Sequence, residues 1–288
     1  MKLVGIMLCK DEAWIIGCSM RAALRWVDHL ILLNHDSTDG SSEIALEIEA
    51  KEYRNRVTFM YEPDTGQWDE MFVRQRTLEE ARKVGATHVA IIDADEILTA
   101  NYISEAHSWF KSLEPGQVLD VPMVPMRTLD DYEVSGSVWA SGIITLGFRD
   151  APQLTWAPRG DYHFHNRPPH GMVEPRIRKA PHGSGGVMHL QFAHRQRLID
   201  KHVHYMLTER ARWPDVRSIG ELNAMYHRAV DEIGALAKVP REWWGDYRRD
   251  LIDLTGPSWH EKASRSLVAQ YEPELLSGLS SWGWNPLC

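Results

Sequence analysis

Cysteines, long apolar stretches and internal repeats are all scarce in this chain of 288 residues. Its three cysteines, Cys9, Cys18 and Cys288, are odd in number and lack metal-ligand spacing. We therefore expect reduced thiols in a cytoplasmic protein rather than a disulfide framework or a zinc site. No apolar stretch approaches the ~20 residues of a membrane-spanning helix. Residues 1–10 are too short an apolar run for a signal peptide.

Charge is present but unevenly spread, within a net charge of −8. Residues 1–144 hold 13 Lys and Arg against 24 Asp and Glu, whereas residues 145–212 hold 11 against 5, together with eight histidines. A local excess of positive charge attracts phosphate groups, such as those of a nucleotide or of DNA. A solvated surface of mixed charge has the same composition.

The first hundred residues alternate between short apolar runs and segments with helical spacing. Such alternation predicts an α/β fold with a mostly parallel sheet that is covered by helices on both faces. The predicted strands are 2–9, 28–33, 57–61 and 87–92, and the predicted helices are 13–26, a segment around Ile44–Ile48, and 69–84.

Polar residues follow three of these strands directly, in the segments Lys10–Glu12, Asn34–Gly40 and Asp93–Glu96. In parallel α/β sheets the ligand crevice lies beyond the carboxyl ends of the strands. The three segments therefore predict one shared site before any family is considered.

The second half of the chain has a different texture, with more Pro, Gly, His and Trp. We predict a core over residues 1–205, divided into halves at 1–115 and 116–205, followed by a helical C-terminal extension (206–288). The predicted elements are strands at 118–126 and 138–148, long loops over 150–188, helices at 195–212 and 218–238, and a small helical tail from 240.

The strongest chemical signal is the sequence Asp93-Ala94-Asp95-Glu96 after the apolar strand HVAII. Two carboxylates separated by one residue at a strand end can share one divalent cation. Hard oxygen ligands suit Mg²⁺ or Mn²⁺, and either ion can neutralise a diphosphate leaving group. We therefore predict a metal site at Asp93 and Asp95.

These segments together resemble family-two glycosyltransferases with the GT-A fold. The matching motifs are the Asp11-Glu12 pair, NHDSTDG at 34–40, IDADEIL at 92–98, and a later histidine, His189, with a basic residue twelve positions on, Lys201. The resemblance covers residues 1–110 well and 185–205 moderately. It implies a metal-dependent glycosyltransferase that uses a nucleotide-sugar, with UDP-sugar as the expected donor. Residues 1–115 would be the nucleotide-sugar-binding half of the core and 116–205 the acceptor-binding half.

The resemblance also implies individual roles for the matched residues. Asp95 would bind the metal, Asp93 would contact the ribose or sugar, and His189 would be the third protein contact, with His194 as the fallback. Glu12, Asn34 and Asp36 would line the base and ribose, and Lys201 would be among the residues that bind the nucleotide-sugar. An arginine near the acidic motif would face the nucleotide. Only one of Arg74 and Arg76 is expected to point inward, because positions i and i+2 lie on different helix faces, and we choose Arg74.

Asn34 departs from the family pattern, which usually has Asp there. An Asp reads the pyrimidine edge by accepting from its N3–H, whereas Asn can both donate and accept. The preference for UDP over other nucleotides is therefore less sharply defined, and Asp36 is a possible substitute. For Asp39 we expect capping of the next helix rather than ligand binding.

An inverting reaction requires a base for the proton of the acceptor hydroxyl. Asp161 and Glu174 are the candidate carboxylates in the Pro- and His-rich segment between the acidic motif and His189, and Asp130, Asp131 and Glu133 lie earlier in the chain. Asp161 is favoured because Arg159, His163 and His165 surround it in the sequence and would tune its pKa. A retaining enzyme would need no such base.

The acceptor stays open between a glycan, a small molecule and hydroxymethylated bases of DNA. Two other classes of function compete with sugar transfer. A nucleotidyltransferase usually carries a Gly-rich basic loop after its first strand, where this chain has Lys10-Asp11-Glu12. A non-catalytic sugar-binding module would show no hydrolysis of the nucleotide-sugar.

Overall fold

A computed structural model describes residues 1–64, 69–156, 167–256, 258–271, 273–279 and 282–283. The chain forms two compact units, each assembled from separate stretches of sequence. The first comprises residues 1–124, 142–189 and 240–253, and the second comprises 125–141, 190–239 and 254–288. No helix in the described part combines the length and the apolar character needed to cross a bilayer.

The described residues contain eleven strands and nine α-helices. The strands are β1 (Leu3–Cys9), β2 (His29–Asn34), β3 (Val57–Tyr61), β4 (His88–Ile91), β5 (Glu96–Leu98), β6 (Gln117–Pro125), β7 (Asp131–Ser135), β8 (Ile143–Arg149), β9 (Val173–Arg178), β10 (Val187–His189) and β11 (Ala235–Lys238). The helices are α1 (Ile16–Ala23), α2 (Ser41–Lys51), α3 (Glu70–Lys83), α4 (Ile103–Lys111), α5 (Arg195–Arg212), α6 (Ile219–Asp231), α7 (Arg241–Trp244), α8 (Trp259–Val268) and α9 (Pro273–Leu276).

The first unit is built on one mixed sheet with the order β3-β2-β1-β4-β8-β6-β10-β5, and β9 pairs with β6 beside that path. The strands β3, β2, β1 and β4 are parallel. β8 is antiparallel to both β4 and β6, and β10 is antiparallel to β5. The parallel half therefore comes from the first hundred residues, where strands and helices alternate.

Alternating side chains of β1 pack on opposite faces of the sheet. Leu3 and Met7 join a cluster that includes residues of α1, α2 and α4. Val4 and Ile6 join a second cluster with residues of α3 and with Trp156. All seven residues of β1 are buried, as expected for a strand covered on both sides.

The second unit contains α5, α6, α8 and α9 together with a two-stranded sheet of β7 and β11. Met206 of α5 packs with Leu222 and Tyr226 of α6. Helix α6 begins with a capping box, in which the Ser218 and Glu221 side chains bond each other's backbone N–H groups. Such a box satisfies two of the amides left unpaired at a helix start.

The prediction of an α/β fold with a sheet flanked by helices is confirmed, and the strands of the first hundred residues are found near their expected positions. The predicted domain boundaries stay a prediction. Residues 116–205 contribute to both compact units, and the tail is divided between them, with 240–253 in the first and 254–288 in the second.

Two predicted elements are wrong. The helix expected over 218–238 ends at Asp231, and residues 235–238 form β11, paired antiparallel to β7. Gly234 allows this turn, because a Cβ there would lie 1.5 Å from the Ser135 carbonyl oxygen. The segment 150–188, expected to be loops, contains β9 and the first two residues of β10. A three-residue strand such as β10 is too short to show a period in the sequence.

Candidate active site

The three polar segments predicted to share a site lie at one edge of the sheet. The register pairs Cys9 of β1 with Asn34 of β2, and Asn34 with Tyr61 of β3. Ile6 pairs with Ile91, so Asp93 follows β4 close to the level at which β1 ends. The parallel register thus confirms that the carboxyl ends of these strands meet, as the sequence predicted.

His189 and Asp95 are adjacent, with Nε2 of the histidine 3.4 Å from Oδ2 of the aspartate. The antiparallel pairing of β10 with β5 causes this, because it sets His189 opposite Glu96, the residue after Asp95. Both side chains are largely buried, 13% and 9% exposed. Two residues far apart in sequence therefore meet through a short stretch of strand pairing.

Asp93 is held by two arginines. Nη2 of Arg74 donates to Oδ1 at 3.0 Å, and Nη1 of Arg167 donates to Oδ2 at 3.0 Å. The Arg74 Nε also donates to Glu70 at 2.7 Å, one helical turn earlier on α3. Burial opposes the charge of Arg74, but Asp93 and Glu70 outweigh it and raise the pKa of Arg74 above its usual value. Asp93 is thus oriented by guanidinium groups.

Glu96 completes the turn that carries Asp95. It is 1% exposed, and its Oε2 accepts from the backbone N–H of Asp93 at 3.0 Å. Both of its carboxylate oxygens also accept from Arg167. A carboxylate satisfied in this way is bound to the protein, so Glu96 supports the turn rather than presenting a free ligand.

Several carboxylates lie close together at the site, among the residues that the structure describes. Four carboxylates (Glu70, Asp93, Asp95 and Glu96) face two guanidinium groups (Arg74 and Arg167). Clustered carboxylate oxygens are the ligands that divalent cations such as Mg²⁺ and Mn²⁺ prefer in proteins.

The donor chemistry at Asp95 and His189 fits such a cation. A carboxylate oxygen and an imidazole nitrogen 3.4 Å apart can both reach one ion at ligand distances of about 2.1 Å. Across the described residues no three His, Cys, Asp or Glu side chains converge on one point. This agrees with the ordinary use of Mg²⁺ and Mn²⁺, in which substrate phosphates and water complete the coordination.

Asn34 ends β2 with a buried side chain, 2% exposed, whose Oδ1 accepts no hydrogen bond from the part of the chain that is described. Asp36 follows in the left-handed region at φ +50 and accepts from the Tyr61 hydroxyl at 2.7 Å. That bond comes first among the causes that lower the pKa of Asp36. A buried acceptor without a donor is costly and marks Asn34 as a place where a ligand N–H could bind.

Two loops of this edge are cross-linked by side chains of the STDGS sequence. The backbone N–H groups of Asp11, Glu12 and Ala13 donate to Ser37, Ser41 and Asp39 respectively, each at 2.8 Å. Asp39 also accepts from the N–H of Ser41, the first residue of α2. The N-cap of α2 is Gly40, which has no side-chain cap bond, so Asp39 bonds the helix start from one residue earlier and also links the two loops.

Three other predicted residues have local partners. Glu12 accepts from the indole N–H of Trp14 at 2.5 Å. His194, the fallback ligand, caps α5 by accepting from the Arg197 N–H at 3.4 Å. Lys201 lies on α5 in the second unit, with its ammonium over the Tyr205 ring at 6.0 Å. The assigned roles of Glu12 and Lys201 stay predictions.

Of the two carboxylates predicted as the catalytic base, the structure describes only Glu174. Asp161 lies outside the described residues. Glu174 lies on β9, where its neighbour Val173 pairs with Gln117 at the start of β6. Through β8, that end of β6 is level with His88, the first residue of β4. At about 3.3 Å per residue, Glu174 therefore sits more than ~15 Å from the Asp93 edge, and the structure argues against it as the base.

Sequence reasoning missed Glu70 and Arg167 as members of the site, and it assigned no role to Glu96 within the acidic segment. Glu70 carried a usable signal, because it stands four residues before Arg74 on a predicted helix. No sequence pattern pointed to Arg167, because it lies 71 positions from Glu96 in a segment expected to be loop. The choice of Arg74 over Arg76 agrees with the geometry: Arg74 is 3% exposed beside Asp93, whereas Arg76 is 36% exposed and pairs with Glu62.

Comparison with known proteins gave structural likenesses alone. No family model and no curated protein sequence matches the chain. Residues 1–349 of TarS from S. aureus align with 97% of this chain and 81% of that one, at 10% identity and a TM-score of 0.41. The mannosyltransferase PcManGT from Pyrobaculum calidifontis, solved with GDP-Man and Mn²⁺, aligns with 93% of this chain and 74% of that one, at 11% identity and a TM-score of 0.38.

Proposed function

We propose that this protein is a metal-dependent glycosyltransferase that moves a sugar from a nucleotide-sugar to an acceptor hydroxyl. The observation that carries the proposal is the 3.4 Å separation between His189 Nε2 and Asp95 Oδ2. A divalent cation held by Asp95 and His189 would stabilise the charge that develops on a diphosphate leaving group.

The side chains around this pair have distinct tasks in the proposal. Asp93, oriented by Arg74, would accept from hydroxyls of the donor ribose or sugar. Its bonds to two arginines favour this role over direct metal ligation. The buried Nη1 of Arg74 has no acceptor in the described chain. Its N–H is available to donate to an oxygen atom of the nucleotide-sugar. For an inverting reaction, Asp161 remains the proposed base.

Asn34 favours a nucleotide-sugar whose nucleobase offers an N–H next to a carbonyl group. Its Oδ1 would accept from the N–H and its Nδ2 would donate to the carbonyl, a pattern that matches uracil. A guanine edge offers the same pair of groups. We therefore propose a UDP-sugar as the first donor to test, with a GDP-sugar beside it.

The acceptor is proposed to be a glycan or a small molecule with a free hydroxyl. The basic segment 145–212 had suggested modified DNA, but several of its arginines are used within the protein. Arg167 binds Asp93 and Glu96, Arg176 binds Asp120, and Arg195 binds Asp231. Internally paired charge contributes little to the phosphate contacts on which DNA binding depends.

The proposal is tested by incubating the protein with UDP-glucose or GDP-mannose and Mn²⁺, then measuring nucleotide release with and without EDTA. We expect release that EDTA abolishes and that falls at least ~100-fold in Asp95→Asn and His189→Ala. The controls are Asp215→Asn and His182→Ala, which change exposed residues elsewhere. Full turnover in EDTA, or in Asp95→Asn, would rule out the metal mechanism.

A further inference from the structure

Arg167 uses every N–H group of its guanidinium on the turn before β5 and the strands beside it. Nε donates to the Thr145 carbonyl oxygen at 2.7 Å, and Nη2 donates to the Ile91 carbonyl oxygen at 2.8 Å. The remaining bonds go to carboxylates: Nη1 to Asp93 at 3.0 Å and to Glu96 at 2.8 Å, and Nη2 to Glu96 at 2.6 Å. A guanidinium has five N–H donors, and all five are satisfied here.

Three of these acceptor residues, Ile91, Asp93 and Glu96, flank along the chain the residue that is proposed to bind the cation. Ile91 precedes the turn at the end of β4, Asp93 begins it, and Glu96 ends it as the first residue of β5. Thr145 belongs to β8, the strand next to β4. Arg167 therefore joins both ends of the turn to the sheet, while all five of these bonds go to residues other than Asp95.

We propose that Arg167 is a positioning residue that holds the turn from Asp93 to Glu96 in the conformation in which the Asp95 carboxylate faces His189. The inference rests on the proposed metal-dependent function. Arg167 would raise the affinity for the divalent cation without touching it, because a turn already ordered loses less entropy when the ion binds.

Charge gives Arg167 a second effect in the same direction. Without the Arg167 guanidinium, Asp93 and Glu96 would lose the positive group that both of them bind. The repulsion between the two carboxylates would then favour a rearranged turn. The planar guanidinium reaches five acceptors in fixed directions, whereas a lysine ammonium offers three donors from one point. Arg167→Lys therefore keeps the charge and removes most of the geometry.

The test compares Mn²⁺ binding by the wild type, Arg167→Lys and Arg167→Met, followed by the EPR signal of free Mn²⁺ in the presence of UDP or GDP. We expect the Kd for Mn²⁺ to rise about 10- to 100-fold in Arg167→Lys, the usual range for groups that orient metal ligands. Turnover should be recovered in part by raising the Mn²⁺ concentration. Arg167→Met should weaken Mn²⁺ binding further, and if it does not fold, the lysine variant still decides the question.

Arg82→Lys is the matched control. Arg82 also binds an aspartate, Asp150, through two nitrogens and donates to backbone carbonyl oxygens, but Asp150 follows the residue that pairs with His88, at the opposite end of β4 from the acidic turn. We expect it to lower the melting temperature and to leave the Kd for Mn²⁺ unchanged. An unchanged Kd in Arg167→Lys would overturn the positioning role while leaving the metal mechanism intact. Absence of Mn²⁺ binding by the wild type with either nucleotide would refute both.

Discussion

At the scale of single residues, Arg74 shows how one buried charge links a helix to the site. It joins Glu70 on α3 to Asp93 after β4 and is 3% exposed. Replacing it by Met would leave two carboxylates without their shared partner in a largely buried place. We expect Arg74→Met to lower the free energy of unfolding by about 3 kcal/mol, as when one partner of a buried ion pair is removed, measured by urea denaturation.

Arg76→Met is the control for this prediction, because it is two positions away on the same helix. Its guanidinium pairs with Glu62 but is 36% exposed. Exposed pairs contribute less than about 1 kcal/mol, so this variant should be close to the wild type. Equal losses in both variants would show that the contact with Asp93 does not contribute as described.

At the scale of elements, the approach of β10 to β6 depends on Gly186. Its φ is +150, and a Cβ there would lie 2.0 Å from the Pro122 carbonyl oxygen. Its N–H and carbonyl both bond to Thr99, which follows β5. Gly186→Ala should therefore displace β10, which carries His189, and lower the free energy of unfolding by about 3 kcal/mol.

The Gly186 prediction is checked by thermal unfolding together with Mn²⁺ binding, both of which should be impaired. Gly183→Ala is the control, because Gly183 also has a positive φ, +82, but no atom of the described chain would lie within 4 Å of a Cβ there. It should cost about 1 kcal/mol from backbone strain alone. A Gly186→Ala protein with normal Mn²⁺ affinity would contradict the role given to β10.

At the scale of the whole molecule, buried histidines predict how stability depends on pH. Burial first, then Arg149 and the N-terminal ammonium, lower the pKa of His88 to about 4. Burial and Arg212 lower the pKa of His204 to about 4. The unfolded chain, with histidine pKa values near 6.5, therefore binds more protons than the folded chain between about pH 6.5 and 4. The stability from these neutral histidines is present above about pH 6.5 and is lost as the pH falls toward 4.

Each of the two histidines should contribute a slope of up to about 1.4 kcal/mol per pH unit in that window. We expect His88→Gln to make the dependence shallower, as measured by urea denaturation across the same pH range. His182→Asn, which changes an exposed histidine, should leave the slope unchanged. A slope in His88→Gln as steep as that of the wild type would refute the assignment.

The thiols follow the same logic of burial. Cys9 and Cys18 are free, and burial raises the pKa of each to about 12. The sequence suggested reduced cysteines because their number is odd and their neighbours are apolar, and the structure supplies the physical reason why these two behave as apolar core residues.

Local pattern by itself determined the parallel half of the sheet, the edge where its strands end, and the acidic turn at that edge. Strand–helix alternation and strand ends are local properties, so contiguous residues are enough to reveal them. The spacing of Asp93 and Asp95 is likewise visible in contiguous residues. The resemblance to glycosyltransferases added His189, which no local pattern distinguishes among fourteen histidines.

Only the tertiary structure decided which distant groups meet that turn. His189 reaches Asp95 through a strand of three residues, and Arg167 reaches Asp93 and Glu96 from a segment without a readable period. The tertiary structure also places Glu174 at the opposite end of the strands from Asp93. It ends the helix that follows Ser218 at Asp231. The physical reason is the same in each case. Strand pairing and the packing of distant segments join residues far apart in sequence, and the residues next to each partner along the chain do not show which partner it will meet.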